Sequence, residues 1–231
     1  EPKGRLFEEM LKILLSGNAL NVVRELGELN LPRRVFPLFD RLFFHKSHDD
    51  FAYKVLEKTD LRIASGEDVS LVFILAGLIW SAIYQSWQQE LKQGVHAKQA
   101  LMDAIARNKT VIFNSGVTRN LYTAMRDMWM LQVEFDAPSV AKLDHLLNHN
   151  RFRQAWHLFT MRNDFLQVDP QIFAWWDNFM ASADDDKTDL MIELVDLAPA
   201  EPKKKSKRRK SKRKRNVKKM PQVGENLEFD F

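Results

Sequence analysis

Val69-Ser70-Leu71-Val72-Phe73-Ile74-Leu75-Ala76-Gly77-Leu78-Ile79-Trp80-Ser81-Ala82-Ile83-Tyr84 is a run of sixteen residues without a charge. It falls short of the roughly 20 apolar residues that cross a bilayer, and it reads as the buried core helix of a water-exposed fold, running on to about residue 91. The stretches around it have the same character. Upstream, Leu6, Met10, Ile13 and Leu14 form a stripe stopped at Ser16-Gly17-Asn18. Ala19, Val22, Val23 and Leu26 form another, ended by Gly27 and Leu31-Pro32. Val35, Leu38, Phe39 and Leu42 continue behind Pro37, and Phe51, Val55 and Leu56 mark a helix reaching about Ile63. Apolar residues recurring at three and four are the helical period. Downstream, helices are predicted at 95–108, 118–134, 139–148, 150–165 and 170–182, with a short amphipathic piece around Leu190, Met191, Leu194 and Val195. No alternating run with hairpin punctuation occurs, and none of the eight prolines interrupts a periodic segment. The fold class is therefore all-α: an irregular multi-helix body followed by a tail.

The tail is defined by charge. Residues 1–202 carry 22 basic and 28 acidic side chains, whereas 203–231 carry 13 and 3. All thirteen cations lie within 203–219: Lys203, Lys204, Lys205, Lys207, Arg208, Arg209, Lys210, Lys212, Arg213, Lys214, Arg215, Lys218 and Lys219. So low-complexity a segment cannot bury enough apolar area to offset its ordering entropy, and it is expected to be disordered when free. Its charge density suits phosphate backbones, whose condensed counterions are released on binding. A solvated tail without a partner and a nuclear-localisation patch are the competing readings. The run has no aromatic residue, so it is expected to hold nucleic acid without reading bases. Just before it, 184–201 holds seven acids against one base, Lys187.

Composition narrows the chemistry. With 45% hydrophobic and 29% charged residues the chain is an ordinary globular composition, able to bury a core rich in its sixteen Phe and six Trp. It has no cysteine, which excludes disulfides, thiolate zinc sites and a cysteine nucleophile, and fits a reducing cytoplasm. The opening Glu1-Pro2-Lys3-Gly4-Arg5 shows no signal peptide and no initiator Met, as expected of a piece of a longer protein.

Several constellations invite a chemical reading. His145 and His149 stand at i and i+4, but His145-Leu146-Leu147-Asn148-His149 lacks the Glu of a helical zinc motif, and surface or capping roles fit better. His48-Asp49, near His45, suggests a phosphohydrolase dyad without the rest of its ligands. Asp184-Asp185-Asp186 lies beyond the last strong helix, where carboxylates cannot be held rigidly about two metals. No metal site and no assembled catalytic site are expected. Arg119 and Arg126 are seven apart, and Arg151 and Arg162 eleven apart, so each pair shares a helix face and could line a groove; Arg153 adds a fifth candidate. The alternative is surface ion pairing with Asp127, Glu134 or Asp164. Trp80, Trp129, Trp156, Trp175 and Trp176 are read as core packing, with one ring left for base stacking as the lesser alternative.

One resemblance runs through these motifs. Arg5-Leu6-Phe7-Glu8-Glu9-Met10-Leu11-Lys12-Ile13-Leu14-Leu15-Ser16-Gly17 resembles the neck-to-body segment of class II nucleotidyltransferases, shared by bacterial poly(A) polymerases and CCA-adding enzymes. The later order Lys58-Thr59-Asp60-Leu61-Arg62-Ile63, Arg126-Asp127-Met128-Trp129-Met130-Leu131-Gln132, Arg151-Phe152-Arg153-Gln154-Ala155-Trp156, Arg162, Trp175-Trp176 and the basic C-terminus is similar to the poly(A) polymerase branch. The resemblance implies an RNA-binding C-terminal portion of an enzyme that adds adenylates from ATP to RNA 3′ ends, with ATP and Mg2+ belonging to a catalytic head outside this sequence. It implies that Arg5, Glu8 and Glu9 match the last neck motif, which supports the nucleotide pocket. The chain alone is then expected to be inactive. Its expected division is the end of the neck and start of the body at 1–45, the body and arm at 46–182, an acidic linker at 183–202 and the basic tail at 203–231. The expected partners are single-stranded RNA 3′ ends, the N-terminal head, and RNA helicases or nucleases, with no membrane. Unlike the family's Arg-rich ending, this tail is richer in Lys, which keeps attraction but weakens bidentate recognition. The alternatives are a helical protein-interaction adaptor with a nucleic-acid anchor, and the body of a CCA-adding enzyme.

Overall fold

A computed structural model describes residues 3–29, 37–39, 50–183 and 187–197. The chain divides into two units, Glu1–Pro199 and Ala200–Phe231, and the second, with the whole basic run 203–219, lies outside the described residues. The expected disorder of the tail therefore lies outside them too. Among the described residues there are ten helices and no strand: α1 Lys3–Leu14, α2 Ala19–Glu28, α3 Asp50–Ala64, α4 Leu71–Lys92, α5 Ala97–Asn114, α6 Arg119–Asp136, α7 Val140–Leu147, α8 Phe152–Asp164, α9 Pro170–Ala181 and α10 Lys187–Leu197.

The apolar run became α4, the axis on which α3, α5, α6 and α8 pack. Its start is set by Ser70, whose hydroxyl accepts from the Phe73 amide at 3.3 Å. It is 22 residues long because uncharged polar residues prolong the run beyond Tyr84, and by length and apolar content alone it would suffice to cross a membrane. The helix matches its expected span of 69 to about 91, and the sixteen-residue charge-free run is only part of it. What marks α4 as a core helix is burial on nearly every side, from Val72 through Ile83 to Trp87. Gly77 lets α3 approach: a Cβ there would stand 2.6 Å from Val55 Cγ2.

Other boundaries follow local chemistry. Thr118 caps α6 by accepting from the Leu121 amide, and Asp169 caps α9 ahead of Pro170. The α5 helix runs six residues past its expected end, because Ile112 still buries in the core and the chain turns only at Gly116, with φ +89°. Gly27 does not end α2, which continues to Glu28. Of the stretch read as a helix behind Pro37, only 37–39 are described; they form a turn with Leu38 and Phe39 buried.

One cap is tertiary. The Asp60 carboxylate on α3 accepts from the Ala19 and Leu20 amides at 2.8 and 2.9 Å, closing the N-terminus of α2 from another helix. The aromatic core gathers at the far side, where Phe135 meets Phe159 at 4.9 Å and Trp176 at 5.1 Å between ring centroids. Five tryptophans are buried, and each indole N–H finds an acceptor: Gln167 Oε1 for Trp80 and backbone carbonyls for Trp87, Trp129, Trp175 and Trp176. The final amphipathic piece docks as α10: Leu194 is buried and the Leu190 carbonyl accepts from Trp175.

Candidate nucleic-acid interface

The chain reverses between α3 and α4 in six residues, 65–70. Gly66 supplies the left-handed conformation at φ +73°, and the Glu67 amide donates back to the Arg62 carbonyl at 2.8 Å. This corner faces α8 across a cleft of about 620 Å3. From α3 come Lys58 and Arg62, four apart on one face; from α8 come Arg153 and His157, also four apart. Glu67 and Asp68 stand at the turn, Phe73 and Ile74 form an apolar wall, and Gln154, Thr160 and Met161 complete the α8 side.

The cations are held loosely. Arg62 donates to the Asp68 carbonyl at 3.2 and 3.3 Å and lies 3.0 Å from Glu67, while Lys58 reaches Asp164 at 3.3 Å. These pairs are largely solvent-exposed, and such pairs are worth at most about 1 kcal/mol, so an incoming anion could replace them. Arg153 is exposed and makes no ion pair among the described residues. His157 responds to the surroundings: partial burial, then the charges of Arg62, Arg153 and Lys58, hold its imidazole below the usual value. It is therefore neutral near pH 7, and Glu67 and Asp68 do not cancel the positive field it experiences. The Phe73 and His157 rings meet edge-on at 6.4 Å. Gln154 Oε1 is buried without a donor.

Of the five arginines expected to meet RNA, Arg153 alone lines this cleft. Arg119 and Arg126 are exposed on α6, and Trp129, three residues beyond Arg126, is fully buried beneath that helix. Arg151 is half-buried at the start of α8. Arg162 requires a correction. It has no exposed surface, so it cannot line a groove: its guanidinium grips Asp136 with two bonds of 2.9 and 2.7 Å and donates to Gln132 Oε1 and the Gln167 carbonyl. It also lies 5.2 Å from the Trp80 ring and 5.5 Å from that of Trp87. Burial pushes the Asp136 carboxyl up while the guanidinium pulls it down. Lys58, Arg62 and His157 were not foreseen as site residues, although their i, i+4 spacing with a neighbouring cation was visible in the sequence.

Arg5, Glu8 and Glu9 are exposed on α1, where Glu9 pairs with Lys12. The His145 and His149 rings lie 6.1 Å apart, and His149 Nδ1 accepts from the Arg151 amide, a capping contact. Trp156 is the partly exposed tryptophan, packed on Phe135, Phe159 and Trp176. His45, His48, Asp49 and Asp184-Asp185-Asp186 lie outside the described residues. Among those that are described, no three His, Asp or Glu side chains are grouped to hold a metal, so the described residues do not fit a magnesium site.

Two family descriptions match the chain: the polymerase A arginine-rich C-terminus over residues 93–215, and the "probable RNA and SrmB-binding site of polymerase A" over residues 1–43. The chain belongs to the bacterial poly(A) polymerase family, as a C-terminal portion. Poly(A) polymerase I of Salmonella typhi is 29% identical over 227 residues, 93% of this chain and 47% of the relative. That of Escherichia coli O6:H1 is 29% identical over 84% of this chain and 43% of its own length. That of Haemophilus influenzae is 26% identical over 88% and 46%. The chain thus spans about half the length of the curated relatives it matches. The arginine-rich match takes in α8 with Arg153, and the RNA-site match takes in α1 and α2.

Proposed function

We propose that this chain is the RNA-holding portion of a poly(A) polymerase, positioning the 3′ end of a single-stranded transcript for a catalytic head that adds adenylates from ATP with Mg2+. The observation that carries this reading is the convergence of Lys58, Arg62 and Arg153 on one cleft, in a chain whose family is that of poly(A) polymerases. The basic run 203–219 supplies the long-range attraction, Arg119, Arg126 and Arg151 offer further phosphate contacts on the body, and the cleft supplies a place for the strand. Arg5, Glu8 and Glu9 on α1 would face the head. The division at 1–45, 46–182, 183–202 and 203–231 follows: neck end, body and arm, acidic linker, tail. The description of residues 1–43 supports a protein contact of the SrmB kind beside RNA on α1 and α2. A cytoplasmic location agrees with the bacterial relatives and the absence of cysteine.

The reading is tested by titrating a labelled single-stranded RNA at several salt concentrations. If about half of the tail's cations meet phosphates, log K against log salt should fall with a slope of roughly −4 to −5, and deleting 203–219 should remove most of it. An unchanged slope would place the electrostatic grip in the body. Incubated with ATP, Mg2+ and an RNA primer, the chain should add no nucleotide, because two-metal transfer needs carboxylates fixed at both ions. Extension that survives removal of contaminating polymerases would overturn the assignment of catalysis to a separate head.

A further inference from the structure

The cleft has more chemistry than a phosphate path needs. A backbone track requires only cations, yet here three cations surround an apolar wall and an amide oxygen that lacks a donor. A buried acceptor left without a partner costs about 1–3 kcal/mol, and that cost is removed by a ligand that brings an N–H. Nucleobases present N–H groups on a flat apolar body, beside a phosphate. The cleft, at about 620 Å3, falls within the size range of small-ligand sites. Its lining is also sorted by type. Arg153, Lys58 and Arg62 are the anion side, with Arg153 free of any ion pair among the described residues and the other two in exchangeable surface pairs. Phe73 is the apolar face, backed by Ile74 and Met161, which are buried behind the lining, and the Gln154 amide lies next to Arg153 in the chain.

We propose that the cleft between α3 and α8 is a nucleotide subsite, which holds one phosphate of single-stranded RNA on Arg153 with Lys58 and Arg62 and takes the adjoining base against Phe73, where the Gln154 amide turns its buried Oε1 outward to accept from the base. This rests on the RNA-holding reading and adds a base-contacting position to it. The basic run, which has no aromatic residue, can grip RNA only through its backbone; the cleft is where the strand's bases are felt. The neutral state of His157 agrees with it: a bound phosphate would offset Arg62, Arg153 and Lys58 and raise that imidazole.

The experiment uses the whole chain at about 0.3 M salt, where screening shortens the reach of the tail to a few ångströms. Binding of labelled oligoadenylate, of an abasic strand of equal length, and of AMP is compared for the native chain, Arg153→Gln, Gln154→Leu and Lys98→Gln, the last an exposed residue of α5 outside the cleft. Melting curves establish that each variant is folded. Arg153→Gln should weaken oligoadenylate and AMP 5- to 10-fold, about the worth of one charge-assisted contact. Gln154→Leu should weaken oligoadenylate 3- to 10-fold and leave the abasic strand unchanged, and AMP should shift the NMR signals of His157 and Phe73. Native-like binding by both cleft variants, with the salt slope of the tail intact, would overturn the subsite and leave the RNA-holding reading standing. Loss of RNA binding by the native chain at every salt concentration would remove that reading itself. Equal effects of Gln154→Leu on the two strands would reduce the cleft to a phosphate contact. A peptide spanning 184–202 that perturbs the same signals while RNA does not would give the cleft to the chain's own acidic segment.

Discussion

The two sides of α8 hold the same residue type in opposite circumstances. Arg153 stands in the open cleft with no ion pair among the described residues, whereas Arg162 is sealed in the core, with four hydrogen bonds and aromatic rings about it. They are nine residues apart, two and a half turns, so they project from opposite faces of one helix. One face serves whatever binds; the other holds α6 and α4 together. An arginine is thus available to a ligand where its charge remains uncompensated, and a structural pin where the fold has already supplied a carboxylate.

The sharpest way to break this comparison is Arg162→Ala. It removes both bonds to Asp136, leaves Gln132 and the Gln167 carbonyl short of a donor, and opens a space beside Trp80 and Trp87. Breaking a buried pair from one side costs about 3–5 kcal/mol, and because the Asp136 side chain keeps 30% of its exposure the lower end is expected. Denaturant unfolding should show this loss, with RNA affinity of the folded fraction unchanged. A stable Arg162→Ala chain with weakened RNA binding would make it a ligand-binding residue after all.

A parallel pair on α6 sharpens the contrast. Trp129→Ala should cost roughly 3–5 kcal/mol, since the ring is fully buried and its N–H donates to the Ala76 carbonyl. Arg126→Ala, at an exposed position, should change stability by less than about 0.5 kcal/mol and weaken RNA binding. The reverse pattern would exchange scaffold and surface.

The smallest effect concerns pH. Protonated His157 would add a cation to a cleft already containing Lys58 and Arg62 from α3, Glu67 and Asp68 from the turn, and Arg153 from α8. Its value is held below the ordinary one, so it stays neutral until the pH falls below the usual imidazole range, and RNA binding should then tighten about two- to threefold. His157→Gln should abolish that gain. The sign for folding is opposite: a histidine with a lowered value favours the native state when neutral, and that small contribution is lost as the pH falls through the lowered value.

Helix positions were legible where their stops are chemical and local: Ser16-Gly17 and Pro170 each fix an end within a residue or two, whereas α5 runs six residues past its expected end to Ser115-Gly116. The helical period also showed which arginines share a face. It could not show which face turns inward, since that depends on partners distant in sequence. Arg151 and Arg162 share a nominal face, yet Arg151 precedes the first turn of α8 and stays half-exposed, while Arg162 meets Asp136, 26 residues earlier, and not its neighbour Asp164. The cleft was hidden for the same reason: it exists only when α3 and α8 come together, as the Lys58–Asp164 contact across 106 residues records. What could have been read was the pairing of Lys58 with Arg62 and of Arg153 with His157, two i, i+4 repeats of positive potential in stretches already singled out.

Asp60 ties this cleft to a distant part of the chain. It lies between Lys58 and Arg62 on α3, pointing away from them to clasp the first two amides of α2. The same turn of helix therefore has two tenants on opposite sides, the cleft cations on one and the N-terminus of α2 on the other. The seating of α2 and the spacing of the two cleft cations thus share one anchor, a single carboxylate.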